Sequence, residues 1–342
     1  MFQRPLRPRA LAAGAVVSSL ALTLSACASA GGSGNSEDRF DIVGFAVPEA
    51  ANDAIITEFV KTDGAEGLTE ADFSGSYGAS GDQSRAVVNG TDADYVHFSL
   101  EGDVTRLVDE GLVADDWNEG PNAGIVSSSV AVLVVEEGNP LGITGWEDLT
   151  RDDVELVTAD PDSSGAARWN ILAAYGSAIA GGASETEAED YLVDVFDNVT
   201  TWATSGREAT EAFENGLGNV LISYENEAIL TRQQGRTYDY VVPDSTLLIE
   251  NPGAILEDAH PAAEAWLDFV LSDAGQTEFV RKGFRPVGDV EVDVEVEGAN
   301  DPSNPFPEPT TLLTIADDFG GWDAVNEKWW AEGALYQQLR ER

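Results

Sequence analysis

Three short runs of small residues stand where strand-like segments give way to helix-like ones. They are Gly78-Ala79-Ser80-Gly81-Asp82-Gln83, Ser163-Ser164-Gly165-Ala166-Ala167-Arg168 and Thr204-Ser205-Gly206-Arg207-Glu208. Small residues let a ligand approach the backbone closely. The start of a helix leaves amide N–H groups without an acceptor and carries the positive end of the helix dipole. Such a terminus is suited to anions. Three of them aimed at one point would supply about 1.5 units of positive charge, at ~0.5 per helix, with no Lys or Arg touching the guest. The same residues also make ordinary N-caps, because Ser and Gly favour that position. From spacing alone both roles stay open.

Other chemistries find little support. The chain has no G-x-x-x-x-G-K-[ST] phosphate loop and no G-x-S-x-G nucleophile elbow. His97 and His260 are its only histidines. His97 lies inside the apolar run Tyr95-Val96-His97-Phe98, where a satisfied core residue is expected rather than a base. Two histidines and one Cys do not make a usual zinc site, and a single Cys excludes an intramolecular disulfide. No metal, cofactor or catalytic residue is therefore expected. Among 342 residues, 62 acids face 18 bases, a formal charge of −44. That balance disfavours nucleic acid and anionic lipid as partners.

The elements that must position the turns alternate along the chain. Strands are expected at 41–46, around 76–77, and at 95–99, 129–135, 155–158, 199–202, 220–224 and 238–242. Helices are expected at 49–61, 81–89, 103–111 and 165–175. Alternation of this kind, with a continuous apolar run at Ser129 to Val135, argues for an α/β fold with largely parallel sheets. Residues 288–310, with Glu291, Asp293, Glu295 and Glu297 followed by four prolines, read as an acidic surface excursion. A Ca²⁺ site there is the lesser alternative, since no ligand loop of fixed spacing is visible. The tail from Asp323 to Arg342, bearing Trp329, Trp330 and Tyr336, reads as a final helix docked by aromatics.

At the N-terminus, Arg4, Arg7 and Arg9 precede an apolar run from Ala10 to Leu24, which ends in Leu24-Ser25-Ala26-Cys27. The run is shorter than the ~20 residues of a membrane-spanning helix. The arrangement describes a secretory signal, and with its Cys it resembles a bacterial lipobox. That implies cleavage before Cys27, lipidation of its sulfur and an anchor on the outer face of the cell membrane. An ordinary signal peptide with an incidental Cys is the alternative. Residues 1–26 are then the signal peptide, and 27–39 a Gly/Ser-rich flexible tether.

Ser76-Tyr77-Gly78-Ala79-Ser80-Gly81-Asp82-Gln83 resembles the Ser-His-Gly-Gly-Ser-Gly-Lys-Gln segment of the sulfate- and thiosulfate-binding proteins of ABC importers. Asp160-Pro161-Asp162-Ser163-Ser164-Gly165-Ala166-Ala167-Arg168-Trp169-Asn170 is similar to their Asn-Pro-Lys-Ser-Ser-Gly-Gly-Ala-Arg-Trp-Asn. Glu137-Gly138-Asn139-Pro140, Val220 to Glu227, Phe284-Arg285-Pro286 and Phe319-Gly320-Gly321-Trp322 fit as well, in the family's order across residues 40–340. The resemblance implies a type II periplasmic-binding-protein fold: two α/β lobes joined by crossing strands, with a ligand cleft between them. It places lobe 1 in 40–128 plus 246–342 and lobe 2 in 129–245.

Carried over by position, the resemblance implies that Ser80 gives an amide and a hydroxyl at the first turn, beside Gly81. Ser164 would give its hydroxyl, and Gly165 and Ala166 their amides, at the second; Gly206 would give its amide at the third. Arg168 and Arg207 would steady the turns from behind. Tyr224 stands where the family commonly has a Trp that donates to the anion. Phe45-Ala46-Val47-Pro48 stands where many members read Ser-Tyr-Asp-Pro. A pocket of donors suits sulfate, which bears no proton near pH 7. Monohydrogen phosphate would leave a proton facing donors, at ~1–3 kcal/mol or more. Asp82 and Glu208 are expected on the helix surfaces. The implied protein is a monomeric, non-enzymatic receptor for sulfate that delivers its load to a permease and its ATPase. Thiosulfate or another tetrahedral oxyanion, a secreted hydrolase, and a ligand-free scaffold are the alternatives.

Overall fold

The computed structural model describes residues 39–290 and 292–342. The expected signal, tether and lipidated Cys27 lie outside them, save Arg39. The first half of the fold is built from β1 (Phe40–Phe45), α1 (Glu49–Phe59), β2 (Phe73–Gly78), α2 (Ser80–Val88), β3 (Tyr95–His97) and α3 (Glu101–Asp109). A long strand, β4 (Ile125–Val135), leads to β5 (Leu156–Ala159), α4 (Gly165–Ala180), α5 (Glu185–Asp197), β6 (Val199–Ala203), α6 (Gly206–Glu214), β7 (Val220–Tyr224), α7 (Glu225–Gln233) and β8 (Asp239–Val241). A second long strand, β9 (Ser245–Ile255), returns to α8 (Ala263–Leu271) and α9 (Asp273–Arg281). The chain ends with β10 (Thr311–Leu313), α10 (Ile315–Asp318), α11 (Trp322–Val325) and α12 (Leu335–Arg340).

The strand order is β2-β1-β3-β9-β4-β7-β5-β6, with β10 beside β9 and β8 beside β4. Within each half the pairings β1–β2, β1–β3, β5–β6 and β5–β7 are parallel. The antiparallel pairs all involve β4 or β9, which also pair with each other. Each half is thus a parallel α/β unit, and the two 11-residue strands run through both. Ten of the eleven residues of β4 are buried, as its apolar run requires. Helix α4 is apolar on nearly every side and is buried accordingly, from Gly165 through Ser177 except at Arg168.

Three expectations are corrected. Most of 292–342 packs against the second half, although Asn326 comes up beside Gly102 on the first. Val296 and Ala299 are buried in a cluster with Val130, Val132, Val134 and Ile229, and Gln233 donates to the carbonyl of Glu297. The supposed excursion is therefore anchored: Asp293, Glu295 and Glu297 are exposed, while Val292, Val294, Val296 and Ala299 cover the flank of β4 and α7. The C-terminal tail is no single helix. It breaks into α11, one wide turn at Asn326–Trp330, and α12. Its aromatics dock on the second half, Trp329 edge-on to Tyr175 and Tyr336 against Phe196. The sheet is mixed rather than largely parallel, because both crossing strands run against every neighbour except β10.

Candidate functional site

The three small-residue turns converge. A β-carbon added to Gly81 would lie 3.2 Å from the carbonyl oxygen of Ser163, so the first turn abuts the second. One added to Gly206 would lie 3.2 Å from the Ala166 β-carbon and 3.4 Å from Val47 Cγ2. The second and third turns are also laced by the backbone, with Asp160 donating to the Ala203 carbonyl, and by the Ser163 hydroxyl donating to the Thr204 carbonyl at 2.8 Å. Parallel pairing of β5 with β6 puts the two turns side by side. The contact between Gly81 and Ser163 crosses from one half to the other.

Their capping differs in a way the sequence leaves open. Ser205 makes the ordinary cap, its hydroxyl accepting from the Glu208 amide at 3.2 Å. Helix α2 begins after Ala79, which has no polar side chain, and α4 begins after Ser164, whose side chain makes no cap bond. Ser80, Gly81, Ser164, Gly165 and Ala166 are all buried. The amides of a first helical turn have no acceptor within the helix. Two buried helix starts thus present donors toward a common region without a side-chain cap.

Residues flanking the turns are held firmly. The Ser80 hydroxyl donates to Asp103 at 2.6 Å and accepts from the Ser99 amide at 2.9 Å, so it is already engaged and only the Ser80 amide is left for a guest. Asp103 also takes Arg106 at 3.0 Å. It is a buried carboxylate just behind the first turn that the sequence reading does not foresee. Its only signal there is a place in the first turn of α3, three residues into the helix. Asp82 and Glu208 are exposed, as expected. Arg207 donates to Glu227 at 2.7 and 2.9 Å and reaches the Val47 carbonyl at 3.4 Å. Glu227 beside it raises the Arg207 pKa. Arg168 bonds the Pro161 carbonyl at 3.4 Å and stacks on Trp330; burial pushes its pKa down.

Tyr224 is buried, stands just before the start of α7 without a side-chain cap bond, and meets the Ser99 hydroxyl at 3.0 Å. Burial raises its pKa well above the usual phenol value, so the hydroxyl keeps its proton at neutral pH. Ser99 is the second residue that sequence reasoning missed: a lone Ser after an apolar strand carries no pattern, and its importance arises from topology. His97 is buried between Ser127, at 2.9 Å, and Asn52, at 3.4 Å, which fits its reading as a core residue. Among the described residues no group of three His, Cys, Asp or Glu is arranged to hold a metal ion, and no helix is long and apolar enough to cross a membrane.

Comparison with known proteins agrees with this architecture. A family model described as bacterial extracellular solute-binding protein matches residues 42–285. A sulfate-binding protein of Synechococcus elongatus is 37% identical over 97% of this chain and 96% of its own length. A thiosulfate-binding protein of Escherichia coli is 32% identical over 85% of this chain and 86% of its own. The solved structure of the sulfate-binding protein SubI from Mycobacterium tuberculosis superposes with a TM-score of 0.78 at 40% identity, covering 85% of this chain and 99% of that one.

Proposed function

The chain belongs to the bacterial extracellular solute-binding proteins and, among them, to the sulfate- and thiosulfate-binding receptors, and from that membership we propose that it captures sulfate at the meeting of α2, α4 and α6 and hands it to an ABC importer. One observation carries the reading: α2 and α4 start buried and face to face, with neither given a side-chain cap. A fully ionised dianion satisfies such donors, and the helix dipoles favour its charge. In this reading the amides of Ser80, Gly81, Gly165, Ala166 and Gly206 grip the oxygens, together with the hydroxyls of Ser164 and Tyr224. Arg168 and Arg207 hold the second and third turns in place without touching the guest.

No bond is made or broken. The halves hinge about β4 and β9, close on the desolvated anion and present the loaded form to a permease driven by a cytoplasmic ATPase. The receptor acts as a monomer on the outer face of the membrane, held there by lipid on Cys27. Its lobes are 39–127 with 251–281, and 128–250 with 288–342.

A specific feature favours thiosulfate as the second reading. Val47 walls the third turn with an apolar surface, which suits a larger, less hydrated sulfur. Competition calorimetry with sulfate, thiosulfate, molybdate and phosphate separates the readings. Sulfate should bind tightest and phosphate at least tenfold more weakly. Equal binding of phosphate would defeat the donor-only site.

A further inference from the structure

Ser99 spends every polar atom it has on a different element. Its amide donates to the Ser80 hydroxyl on α2 at 2.9 Å. Its carbonyl accepts from the Trp169 indole on α4 at 2.9 Å and from the Asn251 side chain on β9 at 3.1 Å. Its hydroxyl meets the Tyr224 hydroxyl at the end of β7 at 3.0 Å. The residue is 1% exposed. Ser99 follows β3 and belongs to the first half, whereas Trp169 and Tyr224 belong to the second. Two of its hydrogen bonds therefore cross between the halves, and a third reaches a strand that runs through both.

We propose that Ser99 is the positioning residue that locks the halves over the bound anion, a role that rests on the receptor reading above. Its neighbours are the ones implied in binding: Ser80 at the first turn, Tyr224, and Gly165, whose absent β-carbon leaves the space that the Ser99 side chain fills. When the halves part, the crossing bonds pass to water. When they meet, these bonds form in a dry setting only if the turns are in register. The lock acts on escape rather than on capture, because the guest enters before the bonds close.

Two of the contacts use the backbone of Ser99, so trimming its side chain removes one bond alone. Ser99→Ala deletes the hydroxyl pair alone, and Tyr224→Phe deletes it together with the phenol's bond to the anion. In stopped-flow measurements with sulfate, Ser99→Ala should release the anion roughly five- to tenfold faster, as expected for one buried hydrogen bond, while capture stays within about twofold; Tyr224→Phe should release it at least as fast. The double variant should release no faster than the quicker single one. Unchanged release overturns the proposal. So do additive effects, which would mean that the Ser99 hydroxyl acts on release without its partner Tyr224. Calorimetry on the unaltered protein comes first. Should no tetrahedral anion bind it, the receptor reading fails by itself, and the lock is judged by small-angle scattering of the free protein. Ser99→Ala should then enlarge the radius of gyration, and an unchanged radius overturns the lock too.

Discussion

Gly165 faces Ser99 across the two halves so closely that a β-carbon on Gly165 would fall 2.8 Å from both Cβ and Oγ of Ser99, and equally near Leu100 Cγ. Gly165 sits in ordinary helical backbone, so a side chain is excluded by its neighbour across the gap and not by its own conformation. Gly165→Ala should therefore spare folding while preventing the halves from meeting. Anion affinity should fall at least a hundredfold in calorimetry, with the urea midpoint nearly unchanged. A variant that binds normally would show that this contact is not needed for binding.

The buried pair Glu225–Arg285 fastens the last passage between the halves. Arg285 donates to Glu225 at 2.8 and 3.3 Å and to the Pro307 carbonyl at 3.0 Å, and its own carbonyl accepts from Ser128 on β4. Burial raises the Glu225 pKa, and Arg285 opposes that rise. Glu225→Gln strands a buried guanidinium, which costs about 3–5 kcal/mol. Urea unfolding measures the loss. A loss below about 1 kcal/mol would mean that Arg285 finds another acceptor.

His97 makes stability sensitive to acid. Burial pushes its pKa down to about 3 from the ordinary 6.5. Between those values the unfolded chain binds a proton that the folded one refuses, so this contribution is full above pH 6.5 and is lost as pH falls toward 3. His97→Gln should be less stable than the parent at pH 7, because Ser127 and Asn52 lose their partner. The gap should then narrow by about 1.4 kcal/mol for each pH unit below 6. Denaturation curves from pH 7 to 4.5 read this directly, and a constant gap would mean that His97 is protonated in the fold.

A net charge of −44 opposes an approaching dianion. Salt screens exposed carboxylates beyond a Debye length of about 8 Å at 0.15 M. Capture should thus accelerate as salt rises, whereas release from a buried site should change little. A rapid-mixing series from 0.02 to about 0.5 M salt tests this, and release that varies as steeply as capture would place the guest near the surface.

Local signals were legible and long-range ones were not. The strand at 220–224 and the starts of α2, α4 and α6 follow from apolar runs ended by small residues. That α2 and α4 lack side-chain caps could not be read, because Ser164 is as good a capping residue as Ser205 and only its surroundings turn it elsewhere. Strand β9 is missing from the expected strands, and its second half carries Asn251-Pro252-Gly253, residue types that favour turns. In the fold the register shifts opposite Pro252, between Ile125 and Ser127, which accommodates a residue that cannot donate. Gly253 leaves room for the Tyr95 ring. Asp103 and Ser99 become part of the site only once β3 lies between β1 and β9.

The chain passes between the halves three times, along β4, along β9 and again between Phe279 and Val296. An odd number of passages leaves Arg39 tied to Ser74 on one half and Arg342 to Asp190 on the other. A mechanical load applied at these two residues consequently pulls one half against the other. In an optical trap, a captured guest would register as extra force needed before the first extension step.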